Sequence, residues 1–319
     1  MATETTARQA GAPARPADAP DGLPAGGQAP GELAPGGRAP SPVRVPIRSL
    51  RSELRAIKVV WKRELIRFSR DRLRILTSLM QPFLFLFVLG TGISSLAAAS
   101  THGVNFKTFI YPGVLCMAVM FTAMFSAASI VWDREFGFLR EMMVAPVRRS
   151  SIVLGKCFGG ATVAGFQGLI VIAISPLVGI PYELTLILEL LALALLLAFA
   201  ITAFGVMFAA RISQMQSFMA VMQMAIMPMF FISGALFSVA SLPAWLTVLN
   251  RLDPLTYAVE PMRRAIFAHM HVGAAARHAL DPGITWWGWH VPTAAAAAVI
   301  ALLGLVMLTV AIVEFSRAE

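Results

Sequence analysis

The chain has 319 residues, 57% of them hydrophobic and only 13% charged, with a mean hydropathy of +0.73. Soluble domains carry roughly 25% charged residues, so half that fraction in so apolar a chain excludes an ordinary soluble fold and points to an all-α integral membrane protein. The net charge of +9 invites a nucleic-acid partner, but the placement of the cations, given below, argues against one.

Residues 1–46 are rich in Ala, Pro and Gly and hold no apolar run. A signal peptide needs an apolar core of about 7–15 residues, so this segment reads as a disordered tail. Over 49–74 a helix period appears, with Leu50, Leu54, Ile57, Trp61, Leu65 and Phe68 on one stripe and Arg and Lys over the rest. A basic amphipathic helix of this kind lies in the membrane interface, its cations near anionic headgroups.

A transmembrane domain is expected over 75–317. A spanning helix needs about 20 apolar residues, and six stretches qualify: Ile75–Leu96, Phe109–Trp132, Ile152–Val178, Leu186–Ala210, Phe218–Val239 and Thr293–Val313. Pro82 should kink the first. In the third, Gly155, Gly159, Ala161 and Gly165 have the small-xxx-small spacing that lets helices approach closely, for internal packing or for a subunit contact. Gln167 reads as an interhelical hydrogen-bonding group rather than a binding site. Glu189 is the one acid within reach of a span, and 190–210 alone is long enough to cross, which leaves it at the boundary. The methionine-rich fifth span, with Met219, Met222 and Gln223, suits a surface for varied apolar ligands or plain packing. With Gln167 these form a candidate substrate path. Between the last two spans, 241–267 reads as two short helices around Pro254, and Trp286, Trp287 and Trp289 as an aromatic belt. The two cysteines, Cys116 and Cys157, lack ligand-like neighbours and read as packing residues.

Six spans put both termini on one side, and 21 of the 26 Lys and Arg residues then fall on that side. The positive-inside rule makes it the cytoplasmic one, in a plasma or inner membrane. The connection around 132–160 belongs to it. Seven charged residues crowd Asp133 to Arg149, and a helical reading from Arg134 to Met143 aligns Phe136, Leu139 and Met143 at i, i+3, i+7. Pro146 would stop that helix, and Ser150 or Ser151 could cap the next. The pattern predicts a docking element outside the bilayer.

The run DREFGFLREMMVAPVRRSSIVLGK, carrying Asp133, Arg134, Glu135, Gly137, Pro146, Gly155 and Lys156 in order and spacing, resembles the ABC-2 type permease family, above all the membrane subunits of daunorubicin-resistance-type drug exporters. Pro254-Leu255-Thr256-Tyr257 is a shorter match, with Asp253 where Asn would be expected. The resemblance covers about 50–317. It implies two permeases, this chain with itself or with a homologue, and two ABC ATPase subunits that hydrolyse ATP with Mg. In line with that, no G-x-x-x-x-G-K-[ST] occurs in the sequence, and this chain is expected to be no enzyme and to bind no cofactor.

It also implies drug efflux or antibiotic resistance, with a hydrophobic or amphipathic cargo. A polysaccharide or lipid-linked glycan exporter remains an alternative, as does an ion-coupled transporter without an ATPase. Each buried anchor of the docking helix would contribute about 1.5–3 kcal/mol. All five histidines, His102, His269, His271, His278 and His290, fall on the outer side without metal-ligand spacing, so a membrane-embedded enzyme is the weakest reading.

Overall fold

The computed structural model describes residues 49–94, 104–138, 147–239, 243–270, 272–273, 280, 283–286 and 289–317. Within them lie six helices long and apolar enough to cross a membrane. In chain order the elements are α1 (Leu50–Arg70), α2 (Arg72–Gly92), α3 (Phe106–Glu135), α4 (Arg149–Ala173), α5 (Leu184–Arg211), α6 (Met215–Ile232), α7 (Ala244–Leu252), α8 (Thr256–His269) and α9 (Thr293–Arg317). A two-residue antiparallel pair, β1 (Thr285–Trp286) with β2 (Trp289–His290), precedes α9. The expected all-α membrane fold with six spans and a leading basic helix is therefore present.

Helix α3 is the centre of the bundle. Its expected span is buried almost throughout, and it packs against α4, α5, α6, α8 and α2. Small residues make these approaches possible. A Cβ on Gly113 would stand 2.5 Å from the Ala235 carbonyl oxygen, and one on Gly160 2.5 Å from the Thr202 side chain. By contrast α2 and α6 bury one stripe each and leave the rest exposed, as peripheral spans do. On α6 the buried stripe is Phe218, Met222, Ile226 and Phe230, at i, i+4, i+8, i+12.

The sequence reading needs three corrections here, and the span expected to bend at Pro82 has an irregular backbone. The basic helix does not run on to residue 74: it stops at Arg70, because Asp71 leaves the helical region (φ −92°, ψ 71°) and its side chain caps the next helix by accepting the Arg74 N–H at 3.0 Å. After Pro82 the backbone of α2 is π-helical over Leu84–Leu89, a wider winding that follows the proline where a kink is expected. Helix α4 starts at Arg149, three residues before the expected span, so Gly155 and Lys156 lie nearly two turns inside it. Helix α6 ends at Ile232, with Gly234 in a left-handed conformation (φ +73°) just beyond.

At the far end of the bundle, α7 and α8 form the two short helices expected around Pro254. Tyr257 donates its hydroxyl to the Arg251 carbonyl at 2.7 Å and accepts from Trp286 Nε1 at 3.0 Å. Arg263, fully buried on α8, donates to the Gly234 carbonyl at 2.6 Å and lies 4.4 Å from the ring centre of Phe109. Trp289 is exposed, and Trp287 lies outside the described residues. Both cysteines are free and buried, as packing residues are.

Candidate functional site

The polar chemistry of the opposite end converges on the two helix ends that flank residues 136–148. Helix α1 presents a face at spacings 4, 3, 4 and 4: Glu53, Ile57, Val60, Glu64 and Phe68. Four of the five, all but Ile57, are buried. This face, not the Leu50–Leu54 stripe, meets the protein; Leu50 and Leu54 are exposed. It packs on α4, where Gly155 and Gly159 remove the side chains that would keep the helices apart. A Cβ on Gly155 would stand 2.7 Å from Val60, and one on Gly159 2.8 Å from the Glu64 side chain. The small-residue motif of the third span thus serves an internal contact.

That close approach brings Glu64 to Lys156. The Lys156 ammonium donates to Glu64 at 2.5 Å, to Asp133 at 2.6 Å and to the Ser129 hydroxyl at 2.9 Å. All three donors of an ammonium are used. The other Asp133 oxygen accepts from Arg63 at 2.6 Å, and Arg67 stands at 3.6 Å. Lys156, Glu64 and Asp133 have side chains no more than 4% exposed, so screening by solvent is slight. Three helices, α1, α3 and α4, are joined at one point.

Two helix termini beside this node are capped in trans. The carboxylate of Glu53 accepts the Arg148 N–H at 3.1 Å and the Ser151 hydroxyl at 2.5 Å. The cap expected from a serine side chain of α4 is replaced by an acid from α1, which also suits the positive end of the helix. Arg134 works in the opposite sense. Its guanidinium donates to the carbonyls of Ala209 (2.9 Å), Ala210 (3.0 Å) and Ile212 (3.2 Å), three acceptors at the end of α5.

The charged motif is consequently split. Asp133 and Arg134 turn into the bundle, while Glu135, Phe136, Gly137 and Phe138 are exposed. The expected continuous helix from Arg134 to Met143 is interrupted: α3 ends at Glu135, and Gly137 takes φ +80° with its N–H bonded to the Arg134 carbonyl. Phe136 therefore belongs to the end of α3 and not to a loop helix. Leu139, Met143 and Pro146 lie outside the described residues.

The candidate path residues are also dispersed. A cleft of about 550 Å³ lies between α2, α3 and α6, walled by Arg74, Pro82, Phe121, Phe125, Met215 and Met219 among others. Its size is within the range of small-molecule sites, about 300–1,000 Å³. Met219 lines it. Met222 points into the bundle and Gln223 is exposed. Gln167, fully buried on α4, has no partner for either amide atom among the described residues, so the interhelical hydrogen bond expected of it is not formed. Glu189 stands in the second turn of α5, half-buried near its start. Among the described residues no group of three or more His, Cys, Asp or Glu is placed to hold a metal ion.

Sequence reasoning missed Glu53, Glu64 and Arg63 as members of this site. One signal was present: two acids eleven residues apart share a helix face, in a helix otherwise basic.

Comparison with known proteins agrees with this architecture. The family model described as ABC-2 type transporter matches residues 55–267. The chain is 30% identical over 210 residues to "Putative transport permease ycf38" of Cyanophora paradoxa, covering 64% of this chain and 72% of the relative. It is 28% identical over 233 residues to "Nodulation protein J" of Rhizobium leguminosarum bv. trifolii, covering 70% and 88%. To "Inner membrane transport permease YadH" of Escherichia coli K12 it is 25% identical over 209 residues, covering 65% and 81%. The match begins within α1 and ends within α8, taking in the ion-paired node, the cleft and the two short helices; the chain belongs to the ABC-2 type transporter family and is a multi-pass transport permease.

Proposed function

We propose that this permease forms, with a second copy or a homologue, the membrane path of an exporter for hydrophobic or amphipathic small molecules, driven by two separate ATPase subunits. Permeases of this family generally work with an ATPase partner. The sequence has no Walker A pattern of its own; ATP and Mg belong to the partner in this reading. The distribution of Lys and Arg supports termini and the 132–160 connection on the cytoplasmic side, within reach of a soluble ATPase.

The observation that carries the reading is the way the loop 136–148 is hung. Its two roots, the end of α3 and the start of α4, are bonded to each other through Asp133 and Lys156 and to α1 through Glu64 and Glu53. A force applied to the loop by a docked ATPase is then delivered to three helices together. Helix α3 is also a wall of the cleft, through Ala118, Phe121, Phe125 and Trp132. Tilting it against α2 and α6 opens or closes the space in which cargo would sit, which is how a docking event at one end biases a two-state path. The docking surface consists of Glu135 to Phe138 and the apolar positions Leu139 and Met143. The apolar walls and the two methionines of the cleft support an apolar body in the cargo.

The test is purification in mild detergent, with the masses of what remains bound, for the parent and for Leu139→Asp with Met143→Asp. The expected result is a stoichiometric subunit with a Walker A motif on the parent alone, and ATP-driven transport lost in the variant. A variant that keeps both the subunit and transport overturns the proposal.

A further inference from the structure

One cation in the cleft has chemistry that loop docking leaves unused. Arg74 stands in the first turn of α2, and its guanidinium lies 5.6 Å from the centre of the Phe125 ring. Its Nη2 is shielded from solvent and has no hydrogen-bond partner among the described residues. Guanidinium groups remain charged and offer five donors in a planar fork that matches a carboxylate or phosphate. A buried donor without an acceptor is unusual, and the side chain that carries it lines an open cleft.

The surroundings grade from polar to apolar along α2. Arg74 is followed on the cleft wall by Thr77, Ser78, Gln81 and Pro82, and the opposite walls carry Phe121 and Met219. One carboxylate, Asp71, lines the same cleft. It is occupied in accepting the Arg74 backbone N–H and makes no ion pair with the guanidinium among the described residues. An acid group arriving at Arg74 would therefore gain a charge-assisted bond and meet a moderate repulsion from Asp71.

We propose that the cleft binds an amphipathic anion, one phosphate or carboxylate on an apolar body. Arg74 holds the acid group, backed by the ring of Phe125, and the body lies against Pro82, Phe121 and Met219. This narrows the cargo class and rests, for the transport part, on the reading of the cleft as the path. The same chemistry could be supplied by an acidic phospholipid of the leaflet or by a free amphiphile.

The experiment is equilibrium binding of dodecyl phosphate to the full chain in phosphatidylcholine nanodiscs, with dodecyltrimethylammonium and dodecyl maltoside as charge controls and empty discs as background. The parent should prefer the phosphate. Arg74→Gln should weaken it roughly tenfold or more and leave the maltoside unchanged. Asp71→Asn keeps the helix cap, since Asn serves equally there, and should tighten phosphate binding by removing the repelling charge. A parent without anion preference, or an Arg74→Gln protein that binds like the parent, overturns the proposal. If Arg74→Gln does not fold, unchanged affinity in Asp71→Asn overturns it instead.

Doping the discs with phosphatidylglycerol separates the sources. Displacement of dodecyl phosphate supports the site with leaflet lipid as its ligand, and retention supports it with the free amphiphile. No ATP is present, so this result and the assembly test with Leu139→Asp and Met143→Asp can fail independently.

Discussion

The ammonium of Lys156 donates to Asp133 at 2.6 Å, bonding the last turn of one span to the second turn of the next across a connection of more than a dozen residues. Lys156→Met should leave the buried carboxylate of Glu64 without its cation and Asp133 with Arg63 and Arg67 alone, at a cost of about 3–5 kcal/mol. Thermal unfolding followed by size-exclusion fluorescence should show the loss. Adding Asp133→Asn and Glu64→Gln to that variant should recover part of it, because the uncompensated charge is the larger penalty.

Gly159→Leu tests the seating of α1. The Cβ alone meets the Glu64 side chain at 2.8 Å, and the remaining carbons have nowhere to go without moving α1 off α4. Overpacking of this kind costs about 1–3 kcal/mol. Hydrogen exchange of amides 50–70 should accelerate while those of α3 stay protected.

Arg134→Ala should fray the end of α5, where three carbonyls lose their donor. The expected destabilisation is about 1–3 kcal/mol, read as faster exchange around 209–213. Arg134→Lys should rescue little, since a single ammonium cannot span three acceptors as the planar fork does.

Asp253 gives a pH prediction for the far end of the bundle. Burial pushes its carboxyl up to about 7, against weaker opposing help from the Leu255 N–H and the Thr256 hydroxyl and N–H. The folded chain therefore keeps this proton while the unfolded chain, near the ordinary carboxylate value, has released it. Stability contributed by the protonated acid is full below about 4 and falls as pH rises to 7, by an amount on the order of a few kcal/mol. Asp253→Asn keeps an oxygen for Leu255 and should flatten unfolding temperature against pH across that window. An equal slope in parent and variant would refute this.

The spans were legible because hydropathy and length depend on local composition, and the two helices around Pro254 because their apolar spacing is local too. The node was not. Its bonds join residues 92 and 23 positions apart, Glu64 and Asp133 to Lys156, and each side chain read singly is an ordinary helix-surface charge. The stripe of Leu50 and Leu54 was the louder pattern, yet those side chains are exposed and make no part of the contact with α4. The break at Asp71 was hidden by uninterrupted periodicity, and Gly137 by a helical spacing that ran through it. Backbone conformation at a single glycine has no signature in apolar spacing.

The order in which the chain is made gives the basic helix an unusual start in life. Glu64 leaves the ribosome 92 residues before Lys156, a delay of roughly 5–20 s at elongation rates of about 5–20 residues per second. During that interval the partners of both acids on α4 have not yet been made, so the contact between α1 and α4 can form only after α4 itself. The same bonds thus tie the seating of α1 to the placement of α4: a chain whose α4 is inserted the other way round keeps Arg148, Ser151 and Lys156 away from Glu53 and Glu64.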